Sequence, residues 1–462
     1  MKFVGRDQEL ALLREQYSRK ESSFVVLYGR RRVGKSELLL RLLESCPGLY
    51  YVGKTAPGAL QAREFARQAA RAVDEPLLSE LAPGDWKRLL STVVERWQGE
   101  GKLLLVLDEF QWLAEAVPEL LGVLQELWDT DWSRSGRVML VLCGSYFGFM
   151  ERAVLGKKSP LFGRRTASIR LGPFTPREAA AFHPGWSRVD QASAYFVCGG
   201  IPHYLKAFES ARSVRQNIEA TLLSELGLLF HEPDFLLREE LRELDNYYAV
   251  LLSIAEGDTN IAAIARRTDV GRGSVHYYTQ NLVALGYLGK RYPLSSLARR
   301  PTQKQLRLTI EDPLLRFWFR FVFPNQSSIL HLGPRKAYDA HLGPQLESYF
   351  GQCFERLCRA TLPVLYAEEG VSARFEVGEY WSKDAQVDVV GLRDDGRTDL
   401  GECKWGVVRS AAALRRELEA KVAHFPNTRG ATLHRRFFVR KRPPRLAVAE
   451  GESWHDLEDL CG

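Results

Sequence analysis

Residues 24–36, FVVLYGRRRVGKS, decide the fold class of this 462-residue chain. The run FVVLY has the length and the apolar, β-branched composition of a buried strand. The next residues, GRRRVGKS (29–36), fit the pattern G-x-x-x-x-G-K-[ST], and the helical pattern KSELLLRLLES starts at their end. A glycine-rich loop between a strand and a helix surrounds phosphate groups with backbone N–H groups and the positive end of the helix dipole. The sequence therefore predicts a phosphate-binding loop.

Each residue type in this loop has a chemical task. Gly29 and Gly34 allow the backbone to wrap around the phosphates. Lys35 is predicted to reach the terminal phosphates, and Ser36 is predicted to bind Mg²⁺. We therefore expect ATP and Mg²⁺ as cofactors.

A second apolar run, LLLVLDEF (103–110), ends in two acidic residues and an aromatic one. We expect Asp108 to lie at the carboxyl end of a strand and to hold the same Mg²⁺, while Glu109 polarises the attacking water. Carboxylates at the end of a buried strand are costly without a cation. The pair therefore predicts ATP hydrolysis rather than nucleotide binding alone.

The first half of the chain alternates between apolar runs and amphipathic segments. LYYV (49–52) and RVMLVLC (137–143) are further runs of strand length. Such uninterrupted runs indicate parallel strands covered by helices on both faces, so we predict a doubly wound α/β domain. From residue 171 the pattern is helical to about residue 240, with Thr175 as an N-cap and Pro176 at the first helical position.

Polar residues after the fourth predicted strand supply further candidates for the nucleotide site. VLCGS ends in Ser145, which we expect beside the γ-phosphate. SPLFGRR carries Arg164 and Arg165, and either is a candidate arginine finger that acts within the chain or from a neighbouring subunit. The alternative for this arginine pair is an ordinary solvated loop.

The motifs GRRRVGKS, LLLVLDEF, VLCGS, PLFGRR and GGIP (199–202) occur in the order found in AAA+-type ATPases. The chain resembles the archaeal-type ATPases related to signal-transducing NTPases, whose members commonly continue into a winged helix and a C-terminal nuclease-like region. The resemblance covers nearly the whole chain. It implies Ser145 as the sensor-1 residue and Pro202 as the Gly-x-Pro element of the lid, and it implies a finger arginine that acts in a homo-oligomer. We place no sensor-2 arginine, which leaves open how the lid reads the nucleotide.

The segment 246–310 has three short helical patterns followed by two strand-like stretches, the order of a winged helix-turn-helix. Its third helix, 272–285, is predicted to enter a DNA major groove. The candidate groove contacts are Arg272, Ser274, His276, Tyr277 and Tyr278, and the candidate phosphate contacts are Arg266, Arg267, Lys290, Arg291, Arg299 and Arg300. The alternative is a module that only packs between its neighbours.

Near the C-terminus, QVDVVGL (386–392) and TDLGECKW (398–405) predict a β-hairpin with a turn at Asp395-Gly396. Alternation along a strand places Glu402 and Lys404 on one face. Asp388 on the partner strand is expected to face the same pocket. Glu355 lies on the preceding helical pattern, at the margin of the face that points to the core.

The set Glu355, Asp388, Glu402 and Lys404 resembles the PD-(D/E)xK nuclease superfamily in order and spacing. Carboxylates suit Mg²⁺ or Mn²⁺ at a phosphodiester, and a lysine can orient the nucleophile or neutralise the developing charge. The resemblance implies that the three acidic residues are metal ligands. Solvent-facing charges and a degenerate, inactive copy are the alternatives. Gln386 stands where relatives often carry an acid, so one metal contact is in doubt.

Composition sets the remaining bounds. A chain of this length predicts several domains, and we place them at 1–165 (P-loop AAA+-type ATPase core), 166–242 (helical lid), 243–310 (winged helix-turn-helix) and 311–462 (α/β restriction-endonuclease-like domain). Seven cysteines without a CxxC pair argue against disulfides and structural zinc. The net charge of +7 is concentrated in basic patches at 289–308 and 405–445, which favours a polyanion such as DNA. The absence of a long apolar run predicts a cytoplasmic protein without a membrane span.

Three functions remain open from the sequence. The first is an ATP-driven DNA-processing enzyme whose C-terminal domain cuts DNA. The second is a nucleotide-dependent switch or regulator with an inactive nuclease-like domain. The third is a DNA-organising ATPase that does not cut. The intact set Asp388, Glu402 and Lys404 favours the first function.

Overall fold

A computed structural model describes residues 3–80, 84–295, 302 and 305–462. The chain divides into two compact units. The N-terminal unit comprises Met1–Pro173 and Ile201–His203, and the C-terminal unit comprises Phe174–Gly200 and Tyr204–Gly462.

The N-terminal unit contains a five-stranded parallel sheet in the order β2-β3-β4-β1-β5. Its strands are β1 (Ser23–Tyr28), β2 (Gly48–Val52), β3 (Leu103–Asp108), β4 (Val138–Gly144) and β5 (Ala167–Arg170). Its helices are α1 (Asp7–Ser18), α2 (Lys35–Leu43), α3 (Gly58–Ala72), α4 (Trp86–Arg96), α5 (Phe110–Ala116), α6 (Leu120–Leu127), α7 (Ser133–Ser135) and α8 (Phe147–Phe149). Every residue of β3 and β4 is buried, so the strands predicted from uninterrupted apolar runs are confirmed.

The fifth strand corrects the predicted end of the ATPase core at residue 165. β5 pairs with β1 from Val25↔Ala167 to Tyr28↔Arg170 and therefore belongs to this sheet. Its four residues, ASIR, include an exposed serine and arginine, so the sequence has no apolar run here that would indicate a buried strand.

The C-terminal unit begins with helices that match the predicted helical segment. They are α9 (Pro176–Ala180), α10 (Arg188–Cys198), α11 (Pro202–Ala207, whose first two residues belong to the N-terminal unit), α12 (Val214–Thr221) and α13 (Glu232–Glu240). Thr175 caps α9 by accepting a hydrogen bond from the Glu178 N–H, and Pro176 is the first helical residue, as predicted.

The predicted winged helix-turn-helix is present in the next segment. It consists of α14 (Leu244–Ala255), α15 (Ile261–Thr268), α16 (Arg272–Ala284), β6 (Leu288–Arg291) and β7 (Arg307–Ile310). The two strands pair antiparallel, from Leu288↔Ile310 to Arg291↔Arg307. The candidate contacts Arg299 and Arg300 lie outside the described residues.

The last part of the chain forms a mixed sheet in the order β12-β11-β10-β9-β8. The remaining elements are α17 (Pro313–Phe317), α18 (Gln326–Leu332), α19 (Pro334–Ala337), α20 (Gly343–Glu368), β8 (Phe375–Trp381), β9 (Gln386–Arg393), β10 (Arg397–Lys404), α21 (Ala411–Val422), β11 (Thr432–Val439), β12 (Glu452–His455) and α22 (Leu457–Cys461). β9 and β10 form the predicted antiparallel hairpin, while β10, β11 and β12 are parallel. α21 connects β10 to its parallel neighbour β11.

All seven cysteines are free thiols, and all but the half-buried Cys403 are buried, which agrees with the prediction against disulfides. Among the described residues, no helix is both long and apolar enough to cross a membrane.

Candidate active sites

The loop between β1 and α2 has the geometry of a phosphate cradle. Gly34 has φ +91°, a left-handed conformation that disfavours other residues. A side chain at Gly29 would place its Cβ 2.2 Å from the carbonyl oxygen of Leu171, so only glycine fits. No side chain caps the N-terminus of α2, so the backbone N–H groups of its first turn lie open to an anion.

Lys35 lies folded back into this loop. Its Nζ donates to the carbonyl oxygens of Gly29 and Arg30, at 2.8 and 2.9 Å, and its side chain is buried. Burial lowers the pKa of Lys35. Neutral carbonyl oxygens therefore hold the ammonium in the phosphate loop. A phosphate can replace them, and the ammonium then gains a negatively charged partner.

Asp108 stands at the end of β3, opposite the loop. Its Oδ2 accepts hydrogen bonds from Ser36 Oγ, at 2.6 Å, and from the hydroxyl of Tyr50 on the neighbouring strand. Its Oδ1 accepts from the Glu109 N–H at 2.8 Å. A buried carboxylate beside a serine hydroxyl is a donor set that suits Mg²⁺, so the two predicted magnesium residues are brought together.

Glu109 has a left-handed backbone conformation with φ +48°. Its Oε2 accepts from Ser145 Oγ at 2.5 Å and from the side-chain amide of Gln111. Gln111 Nε2 also donates to Ser145 Oγ at 3.2 Å. The predicted water-polarising glutamate and the predicted sensor residue are therefore in direct contact, and Gln111 ties them together.

The two candidate finger arginines differ in their surroundings. Arg164 makes a paired contact with the Asp129 carboxylate, with both N–O distances 2.7 Å, and also donates to the Pro160 carbonyl at 2.7 Å. Arg165 is exposed. Arg164 thus links two parts of its own unit, and Arg165 is the more available of the two for a neighbouring subunit.

Two more residues reach the phosphate loop within the N-terminal unit. Arg6 donates to the carbonyl oxygens of Val33, at 3.2 Å, and Gly172, at 2.6 Å. Pro202 lies close to the glycine that begins α2, since a Cβ on Gly34 would be 3.7 Å from Pro202 Cγ. The segment Ile201–His203 therefore lies beside the loop, and it contains the predicted Gly-x-Pro proline.

On the winged helix, the exposed face of α16 presents part of the predicted contact set. Arg272, Ser274, His276 and Tyr277 are exposed, and 59% of Tyr277 is accessible. Tyr278 does not fit the prediction, because it is buried and its hydroxyl accepts from Asn246 at 2.8 Å.

Of the predicted phosphate contacts of the winged helix, only some are available to a ligand. Arg266 and Lys290 are exposed. Arg267 pairs with Glu256 and Asp258, and Arg291 pairs with Glu311, so these two arginines are partly neutralised.

The predicted nuclease residues meet at the end of the β9–β10 hairpin. Asp388 Oδ2 accepts from the backbone N–H of Cys403 at 3.1 Å. Glu402 accepts from Lys421 Nζ on α21 at 2.5 Å and is only 2% exposed. Burial and then Asp388 raise the pKa of Glu402 to about 8, against the opposing effect of Lys421. Burial also raises the pKa of Asp388.

Glu355 approaches this pair from α20. Burial and then the charge of Asp388 raise its pKa to about 7. Arg359, one turn further along α20, donates to the Asp388 carbonyl at 2.6 Å and lies 3.9 Å from the Glu355 carboxylate. It also lies 3.7 Å from Glu379 on β8, which brings a fourth carboxylate to the site.

The two faces of β10 have separate partners. Trp405 packs against Phe354 of α20, with ring centroids 5.6 Å apart. Lys404 points towards α21, is half exposed, and lies 3.4 Å from the Glu417 carboxylate. Glu402 and Lys404 thus share the α21 side of the strand, as alternation predicts.

Family models match three segments of the chain. Residues 3–208 match a model described as an ATPase domain predominantly from Archaea. This segment is therefore similar to archaeal-type ATPase domains. Residues 244–291 match the IclR helix-turn-helix domain, and residues 318–415 match a model described as archaea bacterial proteins of unknown function.

Similar proteins extend the comparison beyond the ATPase domain. An uncharacterized protein of Methanocaldococcus jannaschii is 26% identical over 406 residues, covering 87% of each chain. An uncharacterized ATP-binding protein of the same organism is 42% identical over 43 residues, covering 9% of this chain and 73% of that protein. The Walker-type ATPase of Pyrococcus abyssi has a TM-score of 0.51 at 18% identity, covering 69% of this chain and 96% of that chain. The last likeness shows a shared fold.

The predicted metal ligands of the C-terminal domain do not form a ready-made metal site. Within the described ranges, no three His, Cys, Asp or Glu side chains are placed together to hold a metal ion. The physical reason is that Lys421 occupies one oxygen of Glu402, while Asp388 turns towards a backbone N–H. The donor chemistry still suits a hard cation, because buried carboxyl groups with raised pKa values lack sufficient positive charge around them.

The raised pKa of Glu355 predicts a pH-dependent stability. A carboxyl whose folded pKa lies above its unfolded value stabilises the fold below about pH 4.5, and this contribution is lost as the pH rises through about 7. Replacing Glu355 by Gln should stabilise the C-terminal unit by roughly 1–3 kcal/mol at about pH 8.5 and have little effect at about pH 5. Denaturant unfolding with a chelator present measures this difference.

The matched control for this experiment is Glu347→Gln. Glu347 lies on the same helix, and its side chain is 73% exposed. This substitution should change the unfolding free energy equally little at both pH values. A Glu355→Gln variant that is less stable than the wild type at the higher pH would contradict the assignment of an unfavourable buried charge.

Several site residues were missed from the sequence. In the ATPase domain these are Arg6, Tyr50 and Gln111, and near the hairpin they are Glu379 and Lys421. Only Arg6 had a signal in the sequence. In FVGRDQEL (3–10) it follows a glycine and immediately precedes an amphipathic helix. The other four reach the sites only through tertiary contacts, which no local sequence pattern indicates.

Proposed function

We propose that the chain is an ATP-hydrolysing DNA-binding enzyme whose C-terminal domain cleaves phosphodiester bonds with a divalent metal. The observation that carries the proposal is the approach of three carboxyl groups at the open end of the hairpin. Asp388 and Glu402 are buried, and Arg359 links the half-buried Glu355 to Asp388. The charge of Asp388 also raises the pKa values of the other two. A fold keeps such mutually repelling groups only when a compensating cation or a catalytic role favours them.

The roles at this site follow from the chemistry of each group. Asp388, Glu402 and Glu355 would hold Mg²⁺ or Mn²⁺, which supplies an activated water and stabilises charge on the phosphate. Lys421 would release Glu402 on metal binding. Lys404 is half exposed on the same face and would contact the scissile phosphate or the attacking water.

The ATPase domain would couple to this site through a nucleotide-dependent cycle. Gly29, Gly34 and Lys35 would hold the ATP phosphates, and Ser36 with Asp108 would hold Mg²⁺. Glu109 would polarise the attacking water, with Ser145 beside it. Arg165 would complete the site of a neighbouring copy in a homo-oligomer. The exposed face of α16 would contact DNA.

A nucleotide-dependent switch with an inactive C-terminal domain is the second candidate. The contact between Lys421 and Glu402 favours it, because an internal ammonium at 2.5 Å partly supplies the cation that a metal would provide. In that case the carboxylates are structural, and ATP binding would reposition the winged helix instead of supporting cleavage.

Cleavage assays separate the two candidates. Linear, nicked, branched and single-stranded DNA are incubated with the full chain and ATP, with Mg²⁺, Mn²⁺ or a chelator. Cleavage that requires the metal supports the nuclease. DNA-stimulated ATP turnover without cleavage in any metal supports the switch.

Lys404→Ala tests the assignment within this assay. Because the proposed role of Lys404 is to stabilise charge that develops during cleavage, its loss should slow cleavage by roughly 10²-fold and leave ATP turnover unchanged. Lys383→Ala removes an exposed lysine from the turn between β8 and β9 and should leave both rates unchanged. A Lys404→Ala enzyme that cuts at the wild-type rate would remove this residue from the site.

A further inference from the structure

A polar groove of about 680 Å³ runs between the winged helix and the C-terminal sheet, within the C-terminal unit. Its arginines come from both sides. They are Arg307 of β7, Arg316 and Arg320 from the α17 segment, and Arg356 and Arg359 of α20. We call this feature the arginine groove. Glu355 and Glu379 of the candidate nuclease site also line it.

The groove has fixed walls. The backbone N–H of Leu294 in the wing donates to the Glu379 carbonyl of β8 at 2.7 Å. The guanidinium of Arg307 stacks over the ring of Trp381, 4.2 Å from its centroid, and Arg307 Nη1 reaches Gln386 at 3.5 Å. The wing therefore lies against the edge of the sheet and closes one side of the groove.

One face of α20 forms the opposite wall. Gln345, Ser348, Gln352, Glu355, Arg356 and Arg359 all line the groove. Their spacing of three, four or seven residues places them in one stripe along the helix. The stripe includes Glu355, so a ligand that lies along it contacts a carboxyl group of the candidate nuclease site.

The charge in the groove is positive and incompletely paired. Five arginines face three acidic residues, and one of these, Glu256, already pairs with Arg267 outside the groove. Over the described chain, Arg356 makes one hydrogen bond, 3.5 Å to the Ile310 carbonyl. Burial and then Arg316 lower the pKa of Arg356 to about 10. Crowded, poorly paired guanidinium groups are a favourable environment for phosphates.

We propose that the arginine groove binds the backbone of single-stranded DNA and leads that strand to Glu355 and Asp388. The proposal rests on the proposed nuclease function and names its substrate class. A groove of about 680 Å³ has the volume of a small-ligand site and accepts a short segment of one strand better than a duplex. Arg307 on Trp381 offers a flat surface for a base, as single-strand sites commonly do.

The test measures binding without cleavage. Asp388→Asn in the full chain, with a chelator present, is the background for every variant. Fluorescence anisotropy compares a labelled oligothymidylate of about 12 nucleotides with a hairpin duplex, between about 50 and 200 mM salt. Arg356→Ala and Arg320→Ala remove groove charges. Arg320 donates to Gln345 at 2.7 Å and lies nearer the surface, so its variant is the safer one for folding.

Each groove variant should weaken oligothymidylate binding by about tenfold and reduce the salt slope by about 0.7, while duplex binding stays unchanged. Arg335→Ala removes an exposed arginine from α19 and should change neither ligand's affinity. The proposal is overturned if Arg320→Ala binds the oligothymidylate like its parent, or if both groove variants weaken single-strand and duplex binding equally.

The result is independent of whether the proposed nuclease cuts. Arginine-dependent single-strand binding in a protein that never cleaves DNA would support the groove and reject the nuclease. Metal-dependent cleavage of single-stranded DNA by Arg320→Ala and Arg356→Ala at the parental rate, measured with Asp388 intact, would support the nuclease and reject the groove.

Discussion

Replacing Asp388 by asparagine is expected to abolish metal-dependent DNA cleavage and to leave ATP hydrolysis at the wild-type rate. The charge of Asp388 contributes to the raised pKa values of both Glu355 and Glu402. Asp388 is therefore the group through which the three acidic residues interact.

The expected loss is about 10³-fold or more. A metal at this site would supply several kcal/mol of charge stabilisation in the transition state, and each 1.36 kcal/mol is a tenfold change in rate. Asparagine keeps the shape and the hydrogen bond from the Cys403 N–H, but it removes the charge that a hard cation requires. Removing that charge should also return the pKa values of Glu355 and Glu402 towards their ordinary range.

The measurement has two readouts. Cleavage of a labelled substrate gives the rate, and titration of Mn²⁺ by calorimetry gives the metal affinity, which should fall in parallel. Asp384→Asn, an exposed aspartate in the β8–β9 turn, is the matched control and should behave like the wild type. Cleavage by Asp388→Asn within tenfold of the wild-type rate would show that the reaction does not use this carboxylate.

Local patterns were sufficient where the chemistry and the secondary structure occupy the same short segment. GRRRVGKS lies between a buried strand and a helix, and LLLVLDEF contains the end of a fully buried strand, so both positions followed from the apolar runs beside them. The hairpin that carries Asp388 and Glu402 could also be predicted, because its turn residues and its alternating side chains lie within one short segment. β5 was missed since its four residues carry no apolar run.

Contacts between residues that are distant in the sequence could not be predicted from it. Lys421 stands on a helix whose sequence, AAALRRELEAKV, resembles a solvated surface, yet it meets Glu402 because α21 crosses back over β10. The basic patch at 405–445 was overestimated for the same reason. Its ion pairs include Arg415–Glu452, Arg435–Glu419, Arg436–Asp399, Arg436–Glu369 and Arg442–Asp459. A count of charges along the sequence treats these arginines as unpaired, whereas in the fold each one forms an ion pair with an acidic residue.

Replacing Glu109 by glutamine is expected to lower ATP turnover by roughly 10²–10⁴-fold, the usual contribution of a positioned base, while ATP binding persists. Glu109 follows β3 in a strained left-handed conformation, directly after the buried Asp108. That position is maintained for a carboxylate, because Ser145 and Gln111 both donate to its Oε2. Glutamine fits the same space but cannot accept a proton from water.

Binding and turnover separate this role from that of the phosphate loop. A fluorescent ATP analogue should bind Glu109→Gln as it binds the wild type, whereas Lys35→Ala should lose binding and turnover together, since its ammonium lies in the cradle itself. Glu115→Gln, an exposed glutamate on α5, is the matched control and should hydrolyse ATP normally. Turnover by Glu109→Gln within tenfold of the wild type would assign water activation to another group. In that case the hydrogen bonds from Ser145 and Gln111 would have a structural purpose, and the strained backbone at Glu109 would need a different cause.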